Sequence, residues 1–137
     1  MRQVVCREFG PVESLEIENV DLPPPGPGQA RVRVEAAGVN FPDTLMVQGK
    51  YQAKPDRPFV PGTELAGIIE AVGEGVNGFQ AGMPVIGMVG LGAFAEIANV
   101  KASRLLSRPS NMPTVMAAGF SMTYGTSMHA LKQRAKL

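Results

Sequence analysis

Side chains that bind metals or act as nucleophiles are scarce in this sequence of 137 residues, which holds one cysteine, Cys6, and one histidine, His129. A protein zinc site uses three or four ligands, mostly cysteine and histidine, so these two residues cannot supply one and no metal is expected. Cys6 is typical of a small buried apolar residue, and a lone helical histidine is more often structural than a general base. Without a Gly-x-Ser-x-Gly segment, a serine hydrolase finds no support.

Asn40 is the residue of greatest chemical interest in the first half of the chain. Its amide both donates and accepts hydrogen bonds, so it can hold a hydroxyl, a carboxamide or a carbonyl group of a ligand. Asn40 also precedes an apolar segment with Pro42 in its first turn and Gly49 after its end, which predicts a helix capped by Asn40. The two roles are compatible.

Short segments of alternating apolar and polar residues predict most of the framework. Strands are expected over residues 4–7, 15–20, 30–36, 64–72, 85–89, 94–100 and 105–106. Helices are expected over residues 40–47, directly after Pro113, and over 123–137. This pattern predicts a mainly β fold with a few helices (α+β), built on a small barrel or sandwich.

Composition excludes several classes of protein. The chain is 45% hydrophobic and 18% charged, as in an ordinary globular domain, and its net charge is +1. It has no long basic run, so nucleic-acid binding is not supported, and it has no apolar stretch of about 18 residues that would span a membrane. A single cysteine forms no internal disulfide, which favours a cytoplasmic location.

Three segments in order carry a resemblance to a known family. They are Ala-Gly-Val-Asn-Phe-Pro-Asp-Thr at 37–44, Pro-Gly-Thr-Glu-Leu-Ala-Gly at 61–67, and Gly-Ala-Phe-Ala-Glu at 92–96, the last followed by Ala117-Ala118 and Thr-Tyr-Gly-Thr at 123–126. Together they resemble the medium-chain dehydrogenase/reductase superfamily. Zinc alcohol dehydrogenases of that superfamily have a cysteine where Asn40 stands and a histidine where Thr63 stands. The resemblance therefore narrows to the zinc-free quinone oxidoreductase (zeta-crystallin-like) branch and related enoyl or acryloyl-thioester reductases.

The resemblance implies a GroES-like β-barrel over residues 1–122, with 123–137 as a linking helix toward a dinucleotide-binding domain. That doubly wound domain is not expected within this chain, because Gly-Met-Val-Gly-Leu-Gly at 87–92 lacks the G-x-G-x-x-G spacing and is followed by a predicted strand rather than a helix. Relatives dimerise through the nucleotide-binding domain, which implies a homodimer for a full-length protein.

The resemblance also implies the site residues. Asn40 and Tyr51 are the expected catalytic residues; the expected cofactor contacts are Asn40, Phe41, Asp43 and Thr126, and the expected substrate pocket is formed by Phe41, Tyr51 and Thr63. Simpler roles remain open for three of them. Thr126 is equally explained as a helix hydroxyl bonded to a preceding carbonyl, Asp43 as a carboxylate favoured at a helix N-terminus, and Tyr51 as a loop residue without a role. Leu45 and Val47 depart from the tyrosine and basic residue of many members.

The implied function is the catalytic-domain portion of an NADPH-dependent reductase that transfers hydride to a quinone or an α,β-unsaturated carbonyl or thioester. The chain alone is expected to be inactive, because the resemblance assigns most of the cofactor contacts to the other domain. The alternative is a standalone, non-catalytic GroES-like module that binds a partner or a small apolar ligand. A third interpretation is that the chain is a piece of a longer protein.

Overall fold

The computed structural model describes residues 1–137 and is mainly β with a few helices, as the sequence predicts. The strands are β1 (Arg2–Val5), β2 (Glu16–Asn19), β3 (Gln29–Gly38), β4 (Glu64–Val72), β5 (Pro84–Met88), β6 (Ile97–Lys101) and β7 (Leu105–Ser107). The α-helices are α1 (Phe41–Val47), α2 (Thr114–Ala118) and α3 (Phe120–Met128). A π-helix (His129–Arg134) follows α3, and two short 3₁₀ turns lie at Val12–Ser14 and Ala102–Arg104.

A five-stranded antiparallel sheet in the order β6-β3-β4-β5-β7 forms the centre of the domain, and β1 pairs with β2 in a separate hairpin. Alternation along β3 explains its place: Ala30 and Val32 are fully buried, whereas Arg31 and Arg33 lie toward solvent. The largest apolar cluster packs on this inner face, and includes Val32, Leu65, Ile69, Val85, Val100 and Leu105. Strand β4 pairs on both sides, and its first four residues and Ile69 are buried.

Helix α1 is tied to the β1–β2 hairpin by a small second cluster of Cys6, Val47 and Phe59. The backbones of Cys6 and Phe59 exchange hydrogen bonds of 2.8 and 3.1 Å, so the long loop after α1 is fixed to the end of β1. Burial raises the pKa of the Cys6 thiol, the Arg57 guanidinium lowers it, and the Glu8 carboxylate raises it further. The apolar cluster and these backbone bonds together hold the end of α1 against the segment that follows β1.

Helix α2 lies on the other side of the sheet and contacts it through small residues. Ala117 and Ala118 are buried against Ala66 of β4 and Ile86 of β5. Alanines at these positions allow the helix backbone to approach the sheet closely. Gly119 then separates α2 from α3, so the first turn of α3 begins beside the end of β3.

Three predicted boundaries were wrong. The first strand is Arg2–Val5 rather than 4–7, because its partner β2 reaches only as far as Val5. The strand predicted over 94–100 begins at Ile97, since the preceding residues bond to β1 instead, through Val4 N–H to Phe94 O and Glu96 N–H to Arg2 O. The helix predicted over 123–137 begins at Phe120, and its α-helical part ends at Met128.

We expect Gly67→Ala to lower the free energy of unfolding more than any other alanine substitution in the central strands. A Cβ at position 67 would lie 2.1 Å from the Arg33 carbonyl oxygen and 2.9 Å from Val32 Cγ1. The backbone of β3 cannot withdraw without breaking its pairing with β4, so the cost should be about 3 kcal/mol. Urea unfolding followed by circular dichroism measures the difference in free energy of unfolding.

Gly125→Ala is the matched control, because a Cβ at this helical position meets no atom within 4 Å. Alanine stabilises a helix interior by about 1 kcal/mol relative to glycine, so this variant should be as stable as the wild type or more so. Equal losses in both variants would contradict the packing argument for Gly67.

Candidate functional site

The Asn40 cluster, defined as Asn40, Asp43, Thr63 and Glu64, lies where three elements meet. Asn40 is the N-cap of α1 directly after β3, and its backbone is extended. Asp43 is in the first turn of α1, Thr63 directly precedes β4, and Glu64 is its first residue. Because β3 and β4 are antiparallel and Gly38 pairs with Glu64, the end of one strand meets the start of the other.

Glu64 is the most deeply buried polar residue of the cluster, with a relative exposure of 1%. Its Oε1 accepts a hydrogen bond of 2.9 Å from Asn40 Nδ2, and its Oε2 accepts one of 2.9 Å from the Met122 N–H. Met122 lies in the first turn of α3, where backbone N–H groups have no partner within the helix. A buried carboxylate requires such donors, so Glu64 joins Asn40 to the start of α3.

Gly38 gives Glu64 the room that it occupies. A Cβ at position 38 would lie 2.5 Å from Glu64 Oε1 and 2.8 Å from the Ala118 carbonyl oxygen. Any larger side chain here would displace the carboxylate or the end of α2. The absence of a side chain at position 38 is therefore a condition for the bond between Glu64 and Asn40.

Asp43 is buried beside this pair, with a relative exposure of 2%. Its Oδ2 accepts a 2.8 Å hydrogen bond from the Asn40 N–H, in the manner of a capping box. Desolvation raises the pKa of Asp43, the Asn40 N–H and the nearby Thr63 hydroxyl lower it, and the Glu64 charge raises it again. Its second oxygen, Oδ1, is buried and has no partner in hydrogen-bonding geometry. Desolvation is the largest effect, so the pKa of Asp43 is above its usual value.

The Asn40 amide points its nitrogen into the cluster. Besides Glu64, the Nδ2 group lies 3.4 Å from the Thr63 hydroxyl. The Asn40 side-chain oxygen faces the start of α1 as in a capping box, but it makes no side-chain cap hydrogen bond, and the Asp43 N–H donates instead to the backbone oxygen of Asn40 at 3.0 Å. The predicted cap position is confirmed, and the amide side chain is directed mainly at Glu64.

A cleft of about 390 Å³ lies between α1, the loop after it and the turn after β5, and no residue of the Asn40 cluster lines it. Its wall includes Met46 of α1, the loop residues 53–55 and the turn Val89–Leu91. Thr63 connects the cluster to this turn, because its carbonyl oxygen accepts hydrogen bonds of 2.8 and 3.1 Å from the N–H groups of Val89 and Gly90.

The other predicted site residues stand apart from the cluster's hydrogen bonds. The Phe41 side chain is 73% exposed at the start of α1. Tyr51 is partly buried; its N–H donates to the Leu45 oxygen, and its hydroxyl has no hydrogen bond. Thr126 is exposed, and its hydroxyl donates to the Met122 oxygen at 2.5 Å, which is the simpler of its two expected roles.

Glu64 was missed as a site residue by the sequence reasoning, which placed it only at the start of a strand. The signal was present, because a carboxylate directly before the apolar run 65–69 needs a hydrogen-bond partner when it is buried. Its partner, Met122, could not be predicted from the sequence, because it lies 58 positions further along the chain.

No group of three or more histidine, cysteine, aspartate or glutamate side chains is arranged as a metal site. None of the helices has the length and apolar character needed to cross a membrane.

Comparison with known proteins agrees with this architecture. Residues 26–110 match the family described as alcohol dehydrogenase GroES-like domain. The quinone oxidoreductase-like protein 2 homolog of Nematostella vectensis is 38% identical over 99% of the chain, which covers 37% of that protein. The crystal structure of human synaptic vesicle membrane protein VAT-1 homolog-like protein superposes with a TM-score of 0.95 at 35% identity, and the chain covers 44% of it.

The Escherichia coli quinone oxidoreductase complexed with NADPH superposes with a TM-score of 0.89 at 29% identity, over 98% of this chain and 41% of that one. The mainly antiparallel sheet with a few helices matches the GroES-like N-terminal domain of proteins of the medium-chain dehydrogenase/reductase superfamily. The chain belongs to the alcohol dehydrogenase GroES-like domain family within that superfamily. It spans about a third of the length of the curated relatives it matches, 33% and 37% for two of them.

We expect Asp43→Asn to gain stability relative to the wild type as the pH rises. The pKa of Asp43 is above its ordinary value of 3.8 in the folded state, so the folded protein holds this proton more tightly than the unfolded chain. Wild-type stability contributed by this proton is complete below pH 3.8 and is lost as the pH rises through the folded pKa. An asparagine does not titrate and loses nothing over that window.

Urea unfolding of both proteins at several values of pH between about 3.5 and 8 measures this difference, with the exposed Asp56→Asn as the control. The stability of the Asp43 variant minus that of the wild type should increase with pH and then level off. Parallel pH profiles for the two proteins would contradict the prediction that the pKa of Asp43 is raised in the folded state.

Proposed function

We propose that this chain is the catalytic-domain portion of an NADPH-dependent oxidoreductase that transfers hydride to a quinone or an α,β-unsaturated carbonyl or thioester. The observation that carries the proposal is the Asn40 cluster, in a chain similar to proteins named quinone oxidoreductase. The quinone oxidoreductase of Escherichia coli is described in complex with NADPH, which supports this dinucleotide as the cofactor.

The residues present fit a nicotinamide group. The Asn40 amide is fixed by Glu64 through its nitrogen, and its oxygen faces the Asp43 N–H as in a capping box. Hydroxyl and carboxamide groups are suitable partners for such an oxygen. The bound dinucleotide supplies a hydride, and solvent supplies the proton that completes reduction of the acceptor. Phe41, Asp43 and Thr126 are the further proposed cofactor contacts: Phe41 through its exposed ring, Asp43 through its support of Asn40.

The acceptor is proposed to bind in the cleft between α1 and the turn at Val89–Leu91. Tyr51 begins the loop that forms one wall of this cleft, and its free hydroxyl is the proposed donor to the acceptor oxygen. Thr63 contributes to the shape of the cleft through the two backbone bonds that hold the turn. Four of the seven residues in the wall are hydrophobic, which suits the apolar body of a quinone or enone.

Further parts of the proposal concern the whole protein. Residues 1–122 form the catalytic domain and 123–137 link it to a dinucleotide-binding domain, through which a full-length protein forms a homodimer. The reaction uses no metal, the chain alone is inactive, and the protein is cytoplasmic. The support is the family resemblance, the single buried cysteine and the polar cluster in which Asn40 and Thr63 stand at metal-ligand positions of zinc enzymes.

A second candidate, a non-catalytic binding module, is favoured by one observation. A cleft of about 500 Å³ lies between the β5–β7 edge and α3, and its walls include the stacked rings of Phe120 and Tyr124 together with Leu106 and Met128. These side chains are exposed, and such an apolar area commonly marks an association surface. Tight, stoichiometric binding of NADPH to the isolated chain would contradict both this candidate and the proposed division of the cofactor site.

A chimera that adds the dinucleotide-binding region of a quinone oxidoreductase-like relative after residue 137 should oxidise NADPH in the presence of a quinone or enone. Asn40→Ala should lower kcat/KM by about tenfold or more, because it removes a hydrogen bond to the reacting pair. Absorbance at the NADPH maximum follows the reaction across a panel of acceptors.

Asn77→Ala is the matched control, since it removes an amide from an exposed turn that bonds only to Gly75 O. Its kcat/KM should stay within twofold of the unsubstituted chimera. No NADPH oxidation with any acceptor, in a chimera that is folded and binds NADPH, would reject the proposed function.

A further inference from the structure

Strand β6 lies at one edge of the five-stranded sheet, where it pairs only with β3. The phase of this pairing is fixed just beyond the end of β6, because the Ala102 N–H donates to the Gly28 oxygen at 2.9 Å. Residues of an antiparallel strand alternate between bonding to the neighbouring strand and facing away from it. Ala98 and Val100 share the phase of Ala102, so their backbones bond to β3.

The backbones of Ile97, Asn99 and Lys101 consequently face away from β3. None of the backbone hydrogen bonds outside the helices and the sheets involves these three residues. Strand β1 bonds to the segment just before β6, with Gln3 opposite Ala95, but makes no bond to β6 itself. A strand edge with free N–H and C=O groups is a template for the addition of another strand.

The β6 groove, a groove of about 430 Å³, runs along this edge and is lined by all five residues of β6. Its lining also includes Val60, Val89 and Leu91, and nine of the fifteen lining residues are hydrophobic. The side chains of Ala98 and Val100 are buried in the largest apolar cluster. The β6 groove therefore joins a row of free backbone groups to an apolar surface.

The β6 groove is positively charged at one end. Lys101, the last residue of β6, and Arg104, in the following 3₁₀ turn, both line it and are exposed. Neither takes part in an ion pair, and no aspartate or glutamate lines the groove. An acidic group at this end would find two cations without a competing partner. A second copy of β6 contains no acidic residue, so the charges favour a different chain.

We propose that the β6 groove binds an extended peptide segment, which adds to the sheet as a further strand antiparallel to β6. Every pairing in this sheet is antiparallel, and only a strand satisfies the alternating N–H and C=O groups of the edge. The peptide residue opposite Lys101 is acidic. The residues opposite Val100 and Ala98 are apolar, because they lie on the same face as these buried side chains. From its N-terminus, the recognised segment is acidic-apolar-x-apolar-x.

A fluorescein-labelled peptide Glu-Val-Thr-Val-Thr with blocked ends tests this binding. Its fluorescence anisotropy should rise to saturation as the chain of residues 1–137 is added. The N–H groups of its first, third and fifth residues face β6, whereas those of the second and fourth face away. N-methylation of the third residue should weaken binding roughly tenfold or more, because it removes a hydrogen bond to Asn99. N-methylation of the second residue is the matched control and should change the affinity by less than about threefold.

Absence of saturable binding, or equal losses for the two N-methylated peptides, would overturn the proposal. The first outcome excludes the partner, and the second excludes pairing with the strand edge.

Lys101→Glu tests the recognition of the acidic residue. It should weaken binding of the glutamate peptide by roughly fivefold and strengthen binding of Lys-Val-Thr-Val-Thr by a similar factor. Lys50→Glu is the matched control, since Lys50 is exposed and does not line the β6 groove. Both affinities should stay within about twofold in that variant. Unchanged affinities in a folded Lys101→Glu protein would contradict the proposed recognition.

Amide hydrogen exchange tests the strand edge in the wild type, so it needs no variant to fold. In the free chain, the amides of Asn99 and Lys101 should exchange about tenfold faster or more than those of Ala98 and Val100, which bond to β3. Saturating glutamate peptide should slow the faster pair roughly tenfold. Slow exchange of that pair without peptide would show that the chain itself or a second copy covers the edge, and would overturn the proposal.

Discussion

The site depends on the hydrogen bonds of one buried carboxylate. Glu64 accepts from the side chain of Asn40 on one side and from the backbone of Met122 on the other, at 2.9 Å in each case. An isolated carboxylate is costly to bury, and removal of either donor would leave one oxygen of the buried charge without a partner. The helix N-cap, the first residue of β4 and the start of α3 are therefore held in one arrangement by this single side chain.

The elements around Glu64 are shaped to permit this arrangement. Gly38 leaves space for the carboxylate, and small residues at the end of α2 bring the start of α3 close enough to donate to it. Asp43 meets a less favourable environment, because one of its oxygens is buried without a partner next to the Glu64 charge. Unsatisfied buried groups of this kind cluster at functional sites more often than in structural cores.

Most of the fold followed from local patterns. Alternating apolar and polar residues at 30–36 predicted β3, and the mainly apolar segment 64–72 predicted β4. Asn40 and Pro42 predicted the start of α1. The ends of the elements were harder to predict from the sequence, because the limits of β1 and β6 depend on which strand each segment bonds to. The same holds for the site: Asn40 and Thr63 were found by motif, whereas Glu64 was not, because its significance lies in a contact with a helix 58 residues away.

This separation in sequence has a consequence during protein synthesis. Asn40 and Glu64 emerge from the ribosome long before Met122, yet the carboxylate has its full set of donors only when α3 has formed. Strands β3 and β4 can pair earlier, with Glu64 still hydrated at the edge of an unfinished domain. A nascent chain that ended before Met122 would contain every strand of the sheet and still lack the backbone donor that completes the burial of its central acid.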